Sequence, residues 1–128
     1  MFPQVDPIPL PAPIWLFKLL EIVTISLHFV AVQLLIGGLL VSVVWSLLGR
    51  RKGNPLLTHS AGVVVTRLPI LMVYVINFGV PPLLFAQVLY GRELYTSSVL
   101  IGAWWIAVIP LLILGYWLLD RLADGAEQ

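Results

Sequence analysis

"IWLFKLLEIVTISLHFVAVQLLIGGLLVSVVWSLL", running from Ile14 to Leu48, decides the fold. Its charges, Lys18 and Glu21, both lie in the first two turns, and the run exceeds the roughly 20 apolar residues that a spanning helix needs. The interface belongs at those charges, with the lipid-embedded part at about Ile22 to Leu47. Tilt or an extension past the membrane edge absorbs the excess. The whole chain agrees: of its 128 residues 60% are hydrophobic and 10% charged, against soluble averages of roughly 45–50% and 25%. The expected class is all-α and integral to a membrane, with three transmembrane helices that form part of a larger helical bundle.

The remaining spans follow from punctuation. Residues 1–13, "MFPQVDPIPLPAP", hold five prolines and no basic start, so they read as an extended outer tail rather than a signal peptide. Residues 14–48 are the first helix. "GRRKGNP", 49 to 55, stops it with glycine and basic residues, and Asn54 followed by Pro55 has the chemistry of an N-cap and first helical position. Residues 49–60 are therefore a loop and a helix start, and 61–90 the second span. Residues 91–96 read as an outer loop, 97–119 as the third span and 120–128 as a tail.

Basic residues orient the chain. Arg50, Arg51, Lys52, Arg67 and Arg121 fall on one side, Lys18 and Arg92 on the other. This predicts a multi-pass protein of the inner (cytoplasmic) membrane with its N-terminus outside and its C-terminus cytoplasmic. A net charge of +1 makes no electrostatic case for nucleic acid. The absence of cysteine excludes thiolate-held clusters and covalently attached haem within this chain.

Polar side chains inside a span usually face protein or a cofactor, because lipid cannot satisfy them. At 100° per residue, Glu21, Thr24, His28, Leu35 and Ser42 cluster within about 40°, while Ser26, Gln33 and Gly37 lie opposite. The first helix is thus expected to have partners on two sides. His28 sits about 9 Å inside the outer interface. A neutral imidazole there can give one nitrogen to a metal and keep the other for a hydrogen bond; the plainer alternative is a bond to a neighbouring helix.

In "INFGVPPLLFAQVLYG", 76 to 91, Pro81 and Pro82 cannot donate to the carbonyls of Asn77 and Phe78, which predicts a kink near the midplane. Asn77 is a candidate contact there, and Gln87 is placed at about the depth of His28. Glu21 suits either a quinol hydroxyl or an ion pair with Lys18. His59 and Arg67 read as solvated or as lipid-phosphate contacts at the inner interface. Trp15, Trp45 and Trp117 fit interfacial belts, and Met72 suits core packing better than ligation.

Two of these stretches resemble subunit I of cytochrome bd-type quinol oxidases. In "HFVAVQLLIG", His28, Phe29, Val32 and Gly37 stand where that family's first-helix motif has its haem-ligating histidine, phenylalanine and glycine; Ile76, Asn77, Phe78 and Gly91 match the next helix. The resemblance covers about residues 15 to 95. It implies haem b with His28 as the metal ligand, and a quinone as a second ligand. Glu21, Thr24, Asn77 and Gln87 would be the neighbouring contacts. Gln87 stands closest to a family glutamate, and an amide cannot exchange a proton, so oxygen reduction is not expected.

The expected function is a small membrane subunit of a respiratory-type electron-transfer complex. It would bind or contact a b-type haem, link to the quinol pool and have as partners other membrane subunits, lipid and an outer-side cytochrome. No residue is expected to be catalytic by itself. The alternative is a cofactor-free structural subunit that scaffolds a respiratory or photosynthetic complex.

Overall fold

The computed structural model describes residues 4–7 and 9–127. Four helices follow in order: α1 (Ile14–Lys52), α2 (Pro55–Val65), α3 (Leu68–Leu100) and α4 (Gly102–Glu127). Three stretches are long and apolar enough to cross a membrane: α1, the α2–α3 pair and α4. The chain is therefore an all-α, multi-pass membrane protein.

α1 packs through a seven-residue repeat. Ala31, Ser42 and Gly49 are buried on it, with Glu21, Thr24, His28 and Leu35 half-buried on the same side. A repeat of seven keeps one stripe of a helix against its neighbour over its whole length. Ser26 and Gln33 are exposed on the far side, and open space surrounds Gly37.

At one end of the molecule α1 turns into α2 as the sequence predicts. Gly53 takes the left-handed conformation (φ 60°) that ends a helix, and the Asn54 side chain accepts from the amides of Leu56 and Leu57. The two helices then approach very closely. A Cβ added at Gly49 would lie 2.5 Å from Thr58 Oγ1 and 2.9 Å from the Thr58 nitrogen.

Three boundaries differ from the sequence expectation. The second span does not run unbroken from 61 to 90, because α2 stops at Val65 and α3 begins at Leu68. Pro69, with no N–H for the carbonyl of Val65, starts a fresh helix at this point. The expected outer loop at 91–96 is helical, and the chain reverses at Ile101 instead. Thr96 and Ser97 donate to the carbonyls of Arg92 and Leu94, so their hydroxyls stay within the helix rather than ending it. At the other end of the chain, the tail at 120–128 is helical through Glu127.

The backbone stays helical through Pro81 and Pro82; the non-helical residue within α3 is Tyr90 (φ −133°, ψ 35°). The N-terminal segment fills that break. Asp6 donates its amide to the carbonyl of Leu89 (2.8 Å), and its carboxylate accepts from the amide of Arg92 (2.9 Å). The carboxylate lies where a Cβ on Gly91 would be 3.4 Å from it. Asp6 thus acts as a helix cap supplied from a distant part of the chain.

Leu68, Met72 and Leu119 form the buried core, with Leu35, Val64, Leu71 and Leu112 around them. Gly38 lets α1 reach this core, since a Cβ there would lie 2.9 Å from Leu68 Cδ2. α4 packs on α3 and α2 but makes no close backbone approach to α1 among the described residues. Between α1 and α4 runs a wholly apolar groove of about 340 Å³ over Met72.

Candidate functional site

His28 is where the α1 stripe meets α3. Its Nδ1 lies 3.0 Å from the carbonyl oxygen of Val75. A carbonyl only accepts, so Nδ1 carries the proton and donates, and neutral His28 then has its lone pair on Nε2. Gly79, one turn further along α3, makes room for the ring: a Cβ there would lie 3.1 Å from Cε1 and 3.2 Å from Nδ1. The Phe29 ring stands 6.1 Å away, tilted by 51°. Nε2 has no protein partner among the described residues and is not sealed in the interior. The arrangement fixes the tautomer, holds the ring plane and leaves one nitrogen free to bond outward.

The other expected contacts do not converge on it. Thr24 donates to carbonyls of its own helix, Leu20 at 2.8 Å and Glu21 at 3.1 Å. Glu21 is half-buried on the His28 face, but two turns away, about 10 Å along the axis. Its electrostatic neighbours are Lys18 and Tyr90. Asn77 is exposed and donates to the Val73 carbonyl of its own helix at 2.8 Å. It lies roughly 200° around α3 from both Val75 and Gly79, so it shares the level of His28 without sharing its face.

Gln87 is not at the level of His28. The antiparallel register sets Phe17 against Phe85, with ring centroids 6.2 Å apart, and His28 against Val75 and Gly79. Gln87 is therefore about 12 Å further out along α3 than Gly79. Met72 is core, not ligand. His59 is exposed and lines a cleft beside α2, and Arg67 is exposed at the α2–α3 break.

Sequence reasoning missed Gly79 as a seat for the histidine. Gly79 was visible in "INFGVPP", but it read as part of a proline kink. Only the register between α1 and α3 shows that its missing side chain accommodates an imidazole. No group of three or more His, Cys, Asp or Glu side chains converges among the described residues.

No family model, curated protein or solved structure matches this chain.

Proposed function

We propose that this chain is a small membrane subunit of a respiratory-type electron-transfer complex, in which His28 holds or contacts a b-type haem linked to the quinol pool. The observation that carries this reading is the Nδ1–H bond from His28 to Val75 across the Gly79 gap. Histidines that ligate metals characteristically donate their other ring N–H to a carbonyl or carboxylate, which fixes the tautomer and raises ligand basicity. His28 meets that requirement. Its half-buried ring supports a group held at the surface of this chain and shared with a neighbouring subunit, since three spans cannot enclose a porphyrin. The haem would supply one-electron chemistry, while this chain would orient the imidazole and exclude water. The resemblance of "HFVAVQLLIG" and "INFGVPPLLFAQVLYG" to cytochrome bd-type subunit I supports the same assignment.

The face with exposed Ser26 and Gln33 and with open space beside Gly37 supports membrane partners on the other side of α1. Four basic residues at one end of the bundle, Arg50, Arg51, Lys52 and Arg121, against two at the other support an inner-membrane location with that end cytoplasmic, while Arg67, next to Leu68 and so near the level of Gly38, stands apart from them. The second reading is a cofactor-free structural subunit, and the His28–Val75 bond by itself fits it as well. The two readings part at Nε2.

Absorption spectra of the purified complex decide between them. His28→Ala is expected to abolish a b-type band or turn a low-spin spectrum high-spin, while His59→Ala leaves it unchanged. Gly79→Ala, which pushes on the ring without removing it, is expected to shift the band. A stoichiometric haem with an unaltered spectrum in His28→Ala would leave the structural subunit as the better account. For the topology, Val5→Cys is expected to label from the outer face and Lys52→Cys not to.

A further inference from the structure

The end of the bundle where α1, α2 and the last turns of α4 meet contains a polar cavity of about 390 Å³. Arg50 of α1 and Arg121 of α4 both line it, as do Ser42, Ser46 and Thr58. Among the described residues no carboxylate lines it, and Asp120 and Asp124, the acidic neighbours of Arg121 on α4, are exposed outside it. The Arg121 guanidinium lies 5.4 Å from the centroid of Trp117. That stacking holds the planar cation while leaving its N–H edges free, and a tryptophan of this kind marks headgroup depth. Ser42 donates to Leu39 and Thr58 to Asn54; Ser46 makes no hydrogen bond to a described residue.

Leu122 lines both this cavity and the apolar groove between α1 and α4. From that shared residue the groove runs toward the bilayer centre along Leu118 and Gly115 on one wall and Leu39 and Ile36 on the other. Gly115 lines it without a side chain, and a Cβ there would be in ordinary contact with Met72 Cε at 3.9 Å. A chamber with two arginines and three hydroxyl residues in its lining therefore adjoins, at Leu122, an entirely apolar groove about 10 Å long on the α4 side. An occupant matching both parts has an anionic head and a hydrocarbon tail. We propose that this composite site binds one anionic glycerophospholipid, with its phosphate between Arg50 and Arg121 and one acyl chain in the α1–α4 groove.

The chemistry separates this from the general attraction of basic loops to acidic membranes. Arg51 and Lys52 neighbour Arg50 in sequence but line neither the cavity nor the groove, whereas two guanidinium forks converging on one chamber suit a phosphate diester. Both lipids carry a phosphate diester, but the choline ammonium of phosphatidylcholine offsets its charge and is repelled by a second guanidinium, so the pair predicts several-fold selection of phosphatidylglycerol.

Native mass spectrometry of the protein, released from its membrane with whatever subunits accompany it and titrated with each lipid, tests this. The wild type should retain phosphatidylglycerol preferentially. R50Q/R121Q should bring the two lipids to near parity, and R51Q/K52Q should keep the wild-type ratio. G115L, checked for unchanged helix content and melting, should lose the retained phospholipid because it fills the groove without changing charge. Equal binding of both lipids by the wild type would overturn the proposal, as would a preference that survives R50Q/R121Q or falls equally in R51Q/K52Q. Unchanged retention in G115L would also overturn it. Displacement by millimolar inorganic phosphate would make this a free-anion site and likewise sink the lipid assignment.

Discussion

The seam between α1 and the α2–α3 pair and the attachment of α4 are built differently. Along the seam, Glu21, His28, Ser42 and Gly49 fall on a seven-residue repeat broken only by Leu35, and two glycines set the spacing: Gly38 against Leu68 and Gly79 against His28. α4 instead docks by an apolar stripe of Leu112, Gly115, Leu119 and Ala123 onto the Leu68–Met72 core. Its outer half stays uncovered, with Trp104 74% exposed and Ile106 77% exposed. In lipid, apolar contact between helices has no hydrophobic drive behind it, so close packing of small residues and polar bonds must hold the fold. The seam has both, and α4 has little of either. The difference marks α1–α3 as the rigid unit and the outer half of α4 as surface for lipid or another subunit.

The largest effect on this contrast should come from Gly49→Val, which drives a side chain into the Thr58 backbone. Loss of about 3 kcal/mol is expected, read as a lowered melting temperature and poor accumulation in the membrane. Leu68→Ala, at the junction of seam and α4 and fully buried, should cost about 1–2 kcal/mol. Lipid removes the transfer part of the usual penalty and leaves lost dispersion and a cavity. If Leu68→Ala proved as damaging as Gly49→Val, α4 would be as firmly held as the seam.

Asp6→Ala should cost about 1 kcal/mol and speed hydrogen exchange at the Arg92 amide, whose acceptor it removes. Asp6→Asn keeps a carbonyl acceptor and should recover most of that protection. Smallest is Ser26→Ala. Its hydroxyl donates to Ile22 on its own helix at 2.7 Å, so a melting shift below about 0.5 kcal/mol is expected. A larger loss in the native membrane than in the isolated chain would locate a partner on that face.

Much of the seam was legible because periodicity, not detail, specifies it. The Glu21, His28, Leu35 and Ser42 stripe needed only the helical angle, and the Asn54–Pro55 start only local capping chemistry. What stayed illegible depended on contacts distant in sequence. Ser97 looked like the beginning of a span and is instead within α3, because a serine that bonds back to its own helix leaves the same trace in sequence as one that caps. The break at Tyr90 was invisible because its compensation comes from Asp6. At the candidate site, His28 was evident as an imidazole in lipid. Gln87 was misplaced in depth because span boundaries alone do not fix the register between two helices.

The bridge from Asp6 to the break at Tyr90 also constrains how the molecule is made. Its two halves lie 86 residues apart in the chain, so at ribosomal speeds of about 5–20 residues per second the tail emerges roughly 4–17 s before its partner exists. During that interval the first span is already apolar enough to enter the bilayer, but its leading segment has no place to rest. The tail must therefore wait at the membrane surface and close over α3 as a late step, after the second span has been threaded. A ribosome arrested before residue 89 would hold an inserted chain whose tail is still open to protease, and one arrested well beyond Arg92 would hold a chain whose tail is protected.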